Sequence, residues 1–152
     1  MKVVVAIDSL KGSLTSLEAG EAIREGIHNV MPDAQVCVRP LADGGEGTVE
    51  ALTLGMGGRL ETISVTGPLS EAVDCTYGIV EEGKTAIVEM SGAAGITLVA
   101  DKDRNPLNTT TYGVGEVIRD AIRKGCRHFI IGIGGSATND AGTGMLQALG
   151  FR

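Results

Sequence analysis

Residues 3–7 read Val-Val-Val-Ala-Ile, a continuous apolar run in which every side chain but one is β-branched. Such a run is typical of a parallel strand that is covered on both faces. Asp8 ends the run, and a helical pattern follows. Thr15 and Glu18 have the spacing of a capping box, and apolar side chains then recur at helical spacing. We therefore predict a strand followed by a helix over residues 16–30.

A second unit of the same kind comes next. Residues 35–39 predict another strand, and residues 42–48 lead into a short helix that ends at the glycines of residues 55–58. A right-handed crossover places the two strands side by side in a parallel sheet, with both polar loops at the same edge. We predict an N-terminal parallel-sheet α/β unit of the Rossmann or flavodoxin-like type.

The pattern changes after residue 58. Period-two alternation predicts three strands of an antiparallel or mixed sheet, at residues 60–65, 73–79 and 85–90. The remaining predicted elements are a hairpin turn at residues 81–84, a helix from about Thr111 to Gly125, a strand at 128–133 and the start of a helix near Ala141. We place a domain boundary near residues 57–60, so that residues 59–152 form part of a second α/β domain with a mixed sheet.

Composition excludes several classes of protein. The chain of 152 residues is 43% hydrophobic, which is enough for a folded core. A net charge of −6 and the scarcity of aromatic residues argue against nucleic acid as a partner. The apolar runs reach only about five residues, too few for a membrane span or a secretory signal. Because the three cysteines are widely spaced and form no CxxC pair, we expect a reducing, cytoplasmic setting.

The first polar loop, residues 8–13, follows the first predicted strand. Ligands of open parallel sheets bind at the carboxyl ends of the strands. Asp8 could accept a hydroxyl proton or bind a metal, and Lys11 could neutralise a phosphate or a carboxylate. Ser9 and Ser13 are candidate binding residues for substrate or nucleotide. The alternative for this loop is a capped turn with a solvated lysine.

The second polar loop, residues 42–48, reads Ala-Asp-Gly-Gly-Glu-Gly-Thr. Asp43 and Glu46 lie among glycines, so the backbone can approach a ligand while the acids coordinate Mg²⁺ or hold a hydroxyl. The other candidate binding residues of this loop are Gly44, Gly45 and Thr48. The alternative is a strand end followed by an acid at a helix N-terminus.

The third loop, residues 132–137, reads Gly-Ile-Gly-Gly-Ser-Ala and matches G-x-G-x-x-A between a predicted strand and a predicted helix. In that context backbone amides and a helix N-terminus can hold phosphate, hydroxyls can contact its oxygens, and an aspartate can hold Mg²⁺. The candidate binding residues are Gly134, Gly135, Ser136, Thr138, Asn139 and Asp140. The alternatives are a simple tight turn and an N-cap cluster for the following helix.

Glycine-rich loops that carry acids, hydroxyls and one well-placed lysine indicate phosphoryl transfer, in which catalysis is mostly positioning and charge neutralisation. The same loops, together with residues 66–69, 89–95 and 110–113, resemble the signatures of the bacterial-type glycerate kinases. The resemblance covers essentially the whole chain in order.

This resemblance implies ATP-dependent phosphorylation of D-glycerate to 2-phosphoglycerate, or in some members to 3-phosphoglycerate, with ATP and Mg²⁺ as cofactors. It also implies two α/β domains around a cleft. Residues 1–58 would form the N-terminal part of a discontinuous domain, and residues 59–152 an incomplete part of an inserted one. Because family members are well over twice as long, we expect the chain to be an N-terminal fragment.

The chemistry of the motif residues suggests their roles. We assign Asp8 or Asp43 to activation of the glycerate hydroxyl or to Mg²⁺, and Lys11 to charge neutralisation. Glu46 would assist in binding metal or substrate, which makes Asp43 and Glu46 the candidate metal ligands. The loop at residues 132–140 would approach phosphate or close over the substrate.

Two other functions stay open at this point. The chain could be a noncatalytic fragment that binds a small anion, and such a fragment would self-associate because an incomplete domain leaves sheet edges and apolar faces uncovered. It could also be a flavodoxin-like or dinucleotide-binding domain. The scarcity of aromatic residues to flank a flavin argues against the latter.

Overall fold

The computed structural model describes residues 1–10 and 13–152 and confirms an α/β fold with a parallel sheet and a second, mixed sheet. The described strands are β1 (Lys2–Ile7), β2 (Gln35–Pro40), β3 (Arg59–Thr66), β4 (Ala72–Val80), β5 (Thr85–Glu89) and β6 (His128–Gly132). The described helices are α1 (Ser16–Val30), α2 (Thr48–Gly55), α3 (Ser91–Ala94), α4 (Tyr112–Arg123) and α5 (Thr143–Ala148). Among these residues, none of the helices has the length and apolar character that crossing a membrane requires.

The first sheet is a parallel pair, β1 and β2, with α1 packed on it. A methyl group at Gly20 of α1 would overlap the Val38 side chain, so the helix lies directly on β2. The expectation that β1 is covered on both faces is wrong for the described residues. Val5 is 7% exposed, whereas Val4 on the opposite face is 61% exposed, because α1 covers one face only.

The second sheet has the strand order β3-β4-β5-β6. Its first three strands are antiparallel neighbours, as the period-two pattern predicts, and β6 joins β5 in parallel. The larger hydrophobic core lies between this sheet and α4. It includes the buried side chains of Val65, Tyr77, Ile79, Val88, Val114 and Val117. The chain therefore returns to parallel pairing at β5 and β6, which places the loops after these two strands at one edge.

The capping box predicted for α1 is present. The Glu18 amide donates to Thr15 Oγ1 at 3.2 Å, and the Thr15 amide donates to Glu18 Oε2 at 2.9 Å. The Glu18 carboxylate accepts hydrogen bonds from both the amide and the hydroxyl of Thr15, and these bonds hold the pKa of Glu18 below its ordinary value. The helix begins and ends where its sequence pattern predicts, because both end signals are local.

Helix α2 packs against the second sheet. Val49 forms a small buried hydrophobic cluster with Val80 and Ile87. The fully buried Thr53 lies against Gly78 of β4, where a methyl group would overlap its side chain. The glycine at this position therefore allows the helix to approach the strand closely. The domain boundary near residues 57–60 stays a prediction.

We predict that Gly78→Ala destabilises the fold, because an added methyl group forces α2 away from β4. The expected loss in the free energy of unfolding is about 1–3 kcal/mol, measured by urea denaturation. Gly26→Ala is the control, since the added methyl group on α1 meets no described atom within 4 Å apart from its own helix backbone and chain neighbours. That variant should be as stable as the wild type or more stable. If Gly78→Ala and Gly26→Ala were equally stable, the close approach of α2 to β4 at Gly78 would be contradicted.

Candidate active site

Four strands end at one cleft. In the two parallel pairs, Ile7 of β1 lies opposite Pro40 of β2, and Glu89 of β5 lies opposite Gly132 of β6. Loops that follow these strand ends line a cavity of about 520 Å³. The predicted site residues in its lining are Asp8, Ser9, Asp43, Gly45, Glu46, Gly134 and Gly135. The structure thus brings together residues from all three predicted loops.

The second and third predicted loops pack against each other through their backbones. The Gly134 amide donates a hydrogen bond of 3.0 Å to the Gly44 carbonyl oxygen. A methyl group on Gly132 would lie 2.5 Å from that oxygen, and one on Gly134 would lie 2.7 Å from the Gly45 Cα. Gly44 also has a φ of +92°, a region that favours glycine. Glycine at these positions is therefore a requirement of the contact between the loops.

Hydrogen bonds within the second loop set its shape and orient Asp43. The Gly44 amide donates to Thr48 Oγ1 at 3.1 Å, and Thr48 is buried at the start of α2. The Gly45 amide donates to Asp43 Oδ1 at 3.0 Å. Gly44 and Thr48 thus shape the loop and are absent from the cavity lining. Asp43, in contrast, is exposed and lines the cavity.

Carboxyl groups dominate the charge of the cavity. Those in its lining belong to Asp8, Asp43, Glu46, Asp74 and Glu89. The part of the lining that the structure describes contains no lysine or arginine. Burial raises the pKa of Glu89, and the neighbouring Glu46 also raises it, although amide hydrogen bonds from Val49 and Gly47 act in the opposite direction. The described part of the lining therefore repels an anionic ligand unless cations offset its charge.

The donor set fits a magnesium ion that arrives with a phosphate ligand. Among residues 1–10 and 13–152, no three His, Cys, Asp or Glu side chains are grouped as a metal site. Magnesium, however, commonly binds through one or two protein carboxylates and completes its shell with water and substrate phosphates. Asp43 and Glu46 are exposed residues in the lining and can supply such carboxylates.

Ser13 of the first predicted loop is absent from the described lining of the cavity. Lys11 lies outside the described residues, so its predicted role stays a prediction. Ser13 lines a neighbouring, mainly apolar pocket of about 280 Å³. This pocket shares Ser9 and Glu46 with the cavity, so the two spaces adjoin.

The third predicted loop divides between two places. Ser136 and Thr138 line a neighbouring pocket of about 250 Å³, together with Thr109. Ile96 lines both this pocket and the acidic cavity, so the two spaces adjoin. Their hydroxyl oxygens lie 2.9 Å apart, and the Thr138 amide donates to Ser136 Oγ at 3.0 Å. Asn139 is exposed and lines neither space. Only the glycine part of the loop therefore faces the acidic cavity.

Asp140 ties α4 to α5. Its Oδ2 accepts hydrogen bonds from the Thr111 amide at 2.9 Å, the Thr111 hydroxyl at 2.8 Å and the Gly144 amide at 3.1 Å. Its Oδ1 accepts the Gly142 amide at 3.0 Å. Burial acts to raise the pKa of Asp140, but these hydrogen bonds outweigh it and lower the pKa. This arrangement favours the capping alternative for Asp140 over ligand binding.

The cavity also contains four residues that the sequence analysis does not assign to the site, namely Asp74, Glu89, Ser91 and Gly92, although the last three belong to the family motif at residues 89–95. A usable signal existed for most of them. Residues 89–95 span the carboxyl end of the strand predicted at residues 85–90, and ligands bind at the carboxyl ends of parallel strands. That strand was interpreted as part of a hairpin, however, so its end was not recognised as part of a parallel edge. Asp74 lies within an antiparallel strand and carries no such signal.

Comparison with known proteins gives one consistent result. Residues 3–152 match the model of the glycerate kinase family. A glycerate kinase from Haemophilus influenzae is 53% identical over 152 residues, and the glycerate 2-kinase from Escherichia coli is 51% identical over the same length. Both comparisons cover 100% of this chain and 40% of the relative.

A solved structure agrees with these relatives. The crystal structure of a Salmonella typhimurium LT2 protein assigned as glycerate kinase 2 superposes with a TM-score of 0.89 and 51% sequence identity. The match covers 99% of this chain and 40% of that protein. The chain therefore spans about 40% of the length of the relatives it matches.

We predict that Asp140→Asn destabilises the protein. The NH₂ group of the asparagine would face backbone N–H groups that now donate hydrogen bonds to the carboxylate, and two donors cannot bond to each other. The expected loss is about 1–3 kcal/mol near neutral pH. A lowered pKa in the folded state means that this stabilisation is present above the ordinary aspartate pKa of about 4 and is lost as the pH falls further. Urea denaturation at several pH values should therefore show the two proteins converging in acid.

The control for this prediction is Asp103→Asn, a change at an exposed aspartate. Its stability should stay within about 0.5 kcal/mol of the wild type across the same pH range. A wild-type stability curve for Asp140→Asn would show that the hydrogen bonds from Thr111 and Gly144 do not stabilise the link between α4 and α5.

Proposed function

The chain belongs to the glycerate kinase family, and we propose that the protein containing it transfers the γ-phosphoryl group of ATP to the 2-hydroxyl of D-glycerate. The observation that carries the proposal is that the carboxyl ends of two parallel strand pairs, β1 with β2 and β5 with β6, meet at one acidic cavity lined in part by glycines. The names of the curated relatives support glycerate as the acceptor.

In the proposed reaction the glycerate oxygen attacks the γ-phosphorus while the bond to the leaving ADP oxygen breaks. The hydroxyl proton passes to a carboxylate, for which Asp43 and Asp8 are the candidates in the cavity. Asp43 Oδ1 already accepts the Gly45 amide, which fixes the direction of the carboxylate. Asp8 is similarly oriented, because its Oδ1 accepts the Ser9 amide at 2.7 Å.

Charge balance assigns further roles. The phosphates and the glycerate carboxylate are anions, and the cavity is bordered by carboxylates. Bound Mg²⁺ would supply charge neutralisation on the phosphates, and Asp43 and Glu46 are the residues we propose to hold it. We further propose that Lys11 neutralises the substrate carboxylate or the transferring phosphate.

Glycines allow the phosphate chain to approach the protein closely. Gly45, Gly134 and Gly135 line the cavity without side chains, so a ligand can approach their backbone closely. We propose that these residues form the phosphate-facing wall. Ser136 and Thr138 open into a different pocket and would contact the ligand only if it extends beyond the cavity.

The buried thiols are consistent with the proposed cytoplasmic location. Cys75 and Cys126 are both buried and free. Burial raises the pKa of Cys75 to about 11, so this thiol stays protonated and unreactive at neutral pH. We therefore propose that the cysteines act as small core residues in a reducing compartment.

We predict that Asp43→Asn in the full-length protein lowers kcat by about 10²-fold or more, since the proton acceptor or metal ligand is lost. The measurement is a coupled assay of ADP release with D-glycerate and Mg-ATP. The control is Asp33→Asn, a change at an exposed aspartate between α1 and β2 that should leave kcat unchanged. Wild-type turnover by Asp43→Asn would exclude the assigned role.

The identity of the product tests the finer part of the proposal. Proton and phosphorus NMR of the reaction mixture should show the phosphoryl group on the 2-hydroxyl. If the product were 3-phosphoglycerate, the protein would still be a glycerate kinase, but our proposal that it phosphorylates the 2-hydroxyl would be wrong. ADP release that does not depend on D-glycerate would contradict the acceptor itself.

A further inference from the structure

Glu89 connects the end of β5 to the start of α2. It is the last residue of β5 and lines the acidic cavity. Its Oε1 accepts a hydrogen bond of 2.6 Å from the amide of Val49, and its Oε2 is 3.4 Å from Ser91 Oγ. Val49 is the second residue of α2, so this side chain reaches across 40 residues of sequence to the first turn of a helix.

The first turn of α2 needs such a partner. The initial N–H groups of a helix have no acceptor within the helix, and a side chain at the N-cap position commonly supplies one. In α2 the N-cap residue is Gly47, which has no side chain. The carboxylate of Glu89 takes over this function, and its negative charge is also favourable at a helix N-terminus.

The surroundings of Glu89 disfavour the charged form of its carboxyl group. Glu89 is partly buried, and its pKa is raised by that burial. The other carboxyl groups that line the cavity belong to Asp8, Asp43, Glu46 and Asp74. The hydrogen bonds that Glu89 accepts from the Val49 amide and the Ser91 hydroxyl offset part of this repulsion.

Two attachments hold the loop at residues 43–47. At its start, the carbonyl oxygen of Gly44 accepts the Gly134 amide from the loop after β6. At its end, α2 is held to β5 through the bond between Val49 and Glu89. Loss of the second attachment leaves the first in place, so the loop would shift and not detach.

We propose that Glu89 is a positioning residue, which accepts the Val49 amide and thereby fixes the loop that carries Asp43 and Glu46 against the end of β5. Its effect on turnover rests on the proposed function, whereas its effect on the loop does not. The hydrogen bond itself carries the role, so an uncharged acceptor of equal length can replace Glu89 in part.

The test compares Glu89→Ala with Glu89→Gln in the full-length protein. Glu89→Ala should lower kcat by about a hundredfold, the size expected for misplaced catalytic groups, with a much smaller change in KM for D-glycerate. Hydrogen exchange of the Val49 amide should become faster. Glu89→Gln keeps the length and a carbonyl acceptor, and it should recover most of the lost kcat and of the Val49 protection.

Glu116 offers a matched control. Its Oε2 accepts the Thr66 amide at 2.7 Å, it is also partly buried, and it lies outside the lining of the cavity. Glu116→Ala should accelerate exchange of the Thr66 amide and lower the melting temperature without changing kcat. An equal fall in kcat in both alanine variants would show general destabilisation and overturn the proposal.

Other results would also overturn it. If Glu89→Gln is as inactive as Glu89→Ala, the charge acts directly and the role is not positioning. If Glu89→Ala leaves the Val49 amide protected, the hydrogen bond does not hold the loop. A wild-type protein without glycerate kinase activity would contradict the proposed function alone, because Val49 exchange still decides whether Glu89 fixes α2.

Discussion

Backbone packing between two glycine-rich loops sets the distance between the chemical groups of the cleft. The carbonyl oxygen of Gly44 accepts the Gly134 amide, and the absence of side chains at Gly132 and Gly134 lets the two backbones meet. This contact brings the loop after β2 against the loop after β6. Asp43 and Glu46 consequently face Gly135 across one cavity, although some 90 residues of sequence separate them.

The same geometry concentrates negative charge. Parallel strands place their following loops at one edge, and these loops carry Asp8, Asp43 and Glu46, with Glu89 at the end of β5. Mutual repulsion among carboxylates lowers stability, and it is tolerated in proteins mainly where function requires it. The cost is reduced here by backbone amides, since Asp8, Asp43 and Glu89 each accept at least one N–H bond. The amides therefore both stabilise the acids and fix their directions.

Local signals in the sequence predicted much of this structure. The capping box at Thr15 and Glu18 correctly gave the start of α1, and the alternating pattern gave β3 and β4, because both depend on residues close in sequence. The bond from Val49 to Glu89 spans 40 residues and depends on how α2 packs on β5, which no local pattern reports. The pairing of β6 beside β5 was missed for the same reason. The glycerate kinase motifs located the loops correctly but did not indicate which loop residues face the cavity.

Asp43 and Asp140 show why residue type alone does not identify a site residue. Both lie in glycine-rich loops that follow a strand, and the sequence predicts ligand binding for both. In the structure, the two oxygens of Asp140 accept hydrogen bonds from Thr111, Gly142 and Gly144, so its capacity is used to join α4 and α5. Asp43 accepts the Gly45 amide on one oxygen and remains exposed at the cavity. The number of hydrogen bonds that a carboxylate can still accept, after those it accepts within the protein, therefore distinguishes an acid that can bind a substrate from one that links two helices. Only the folded chain determines this number.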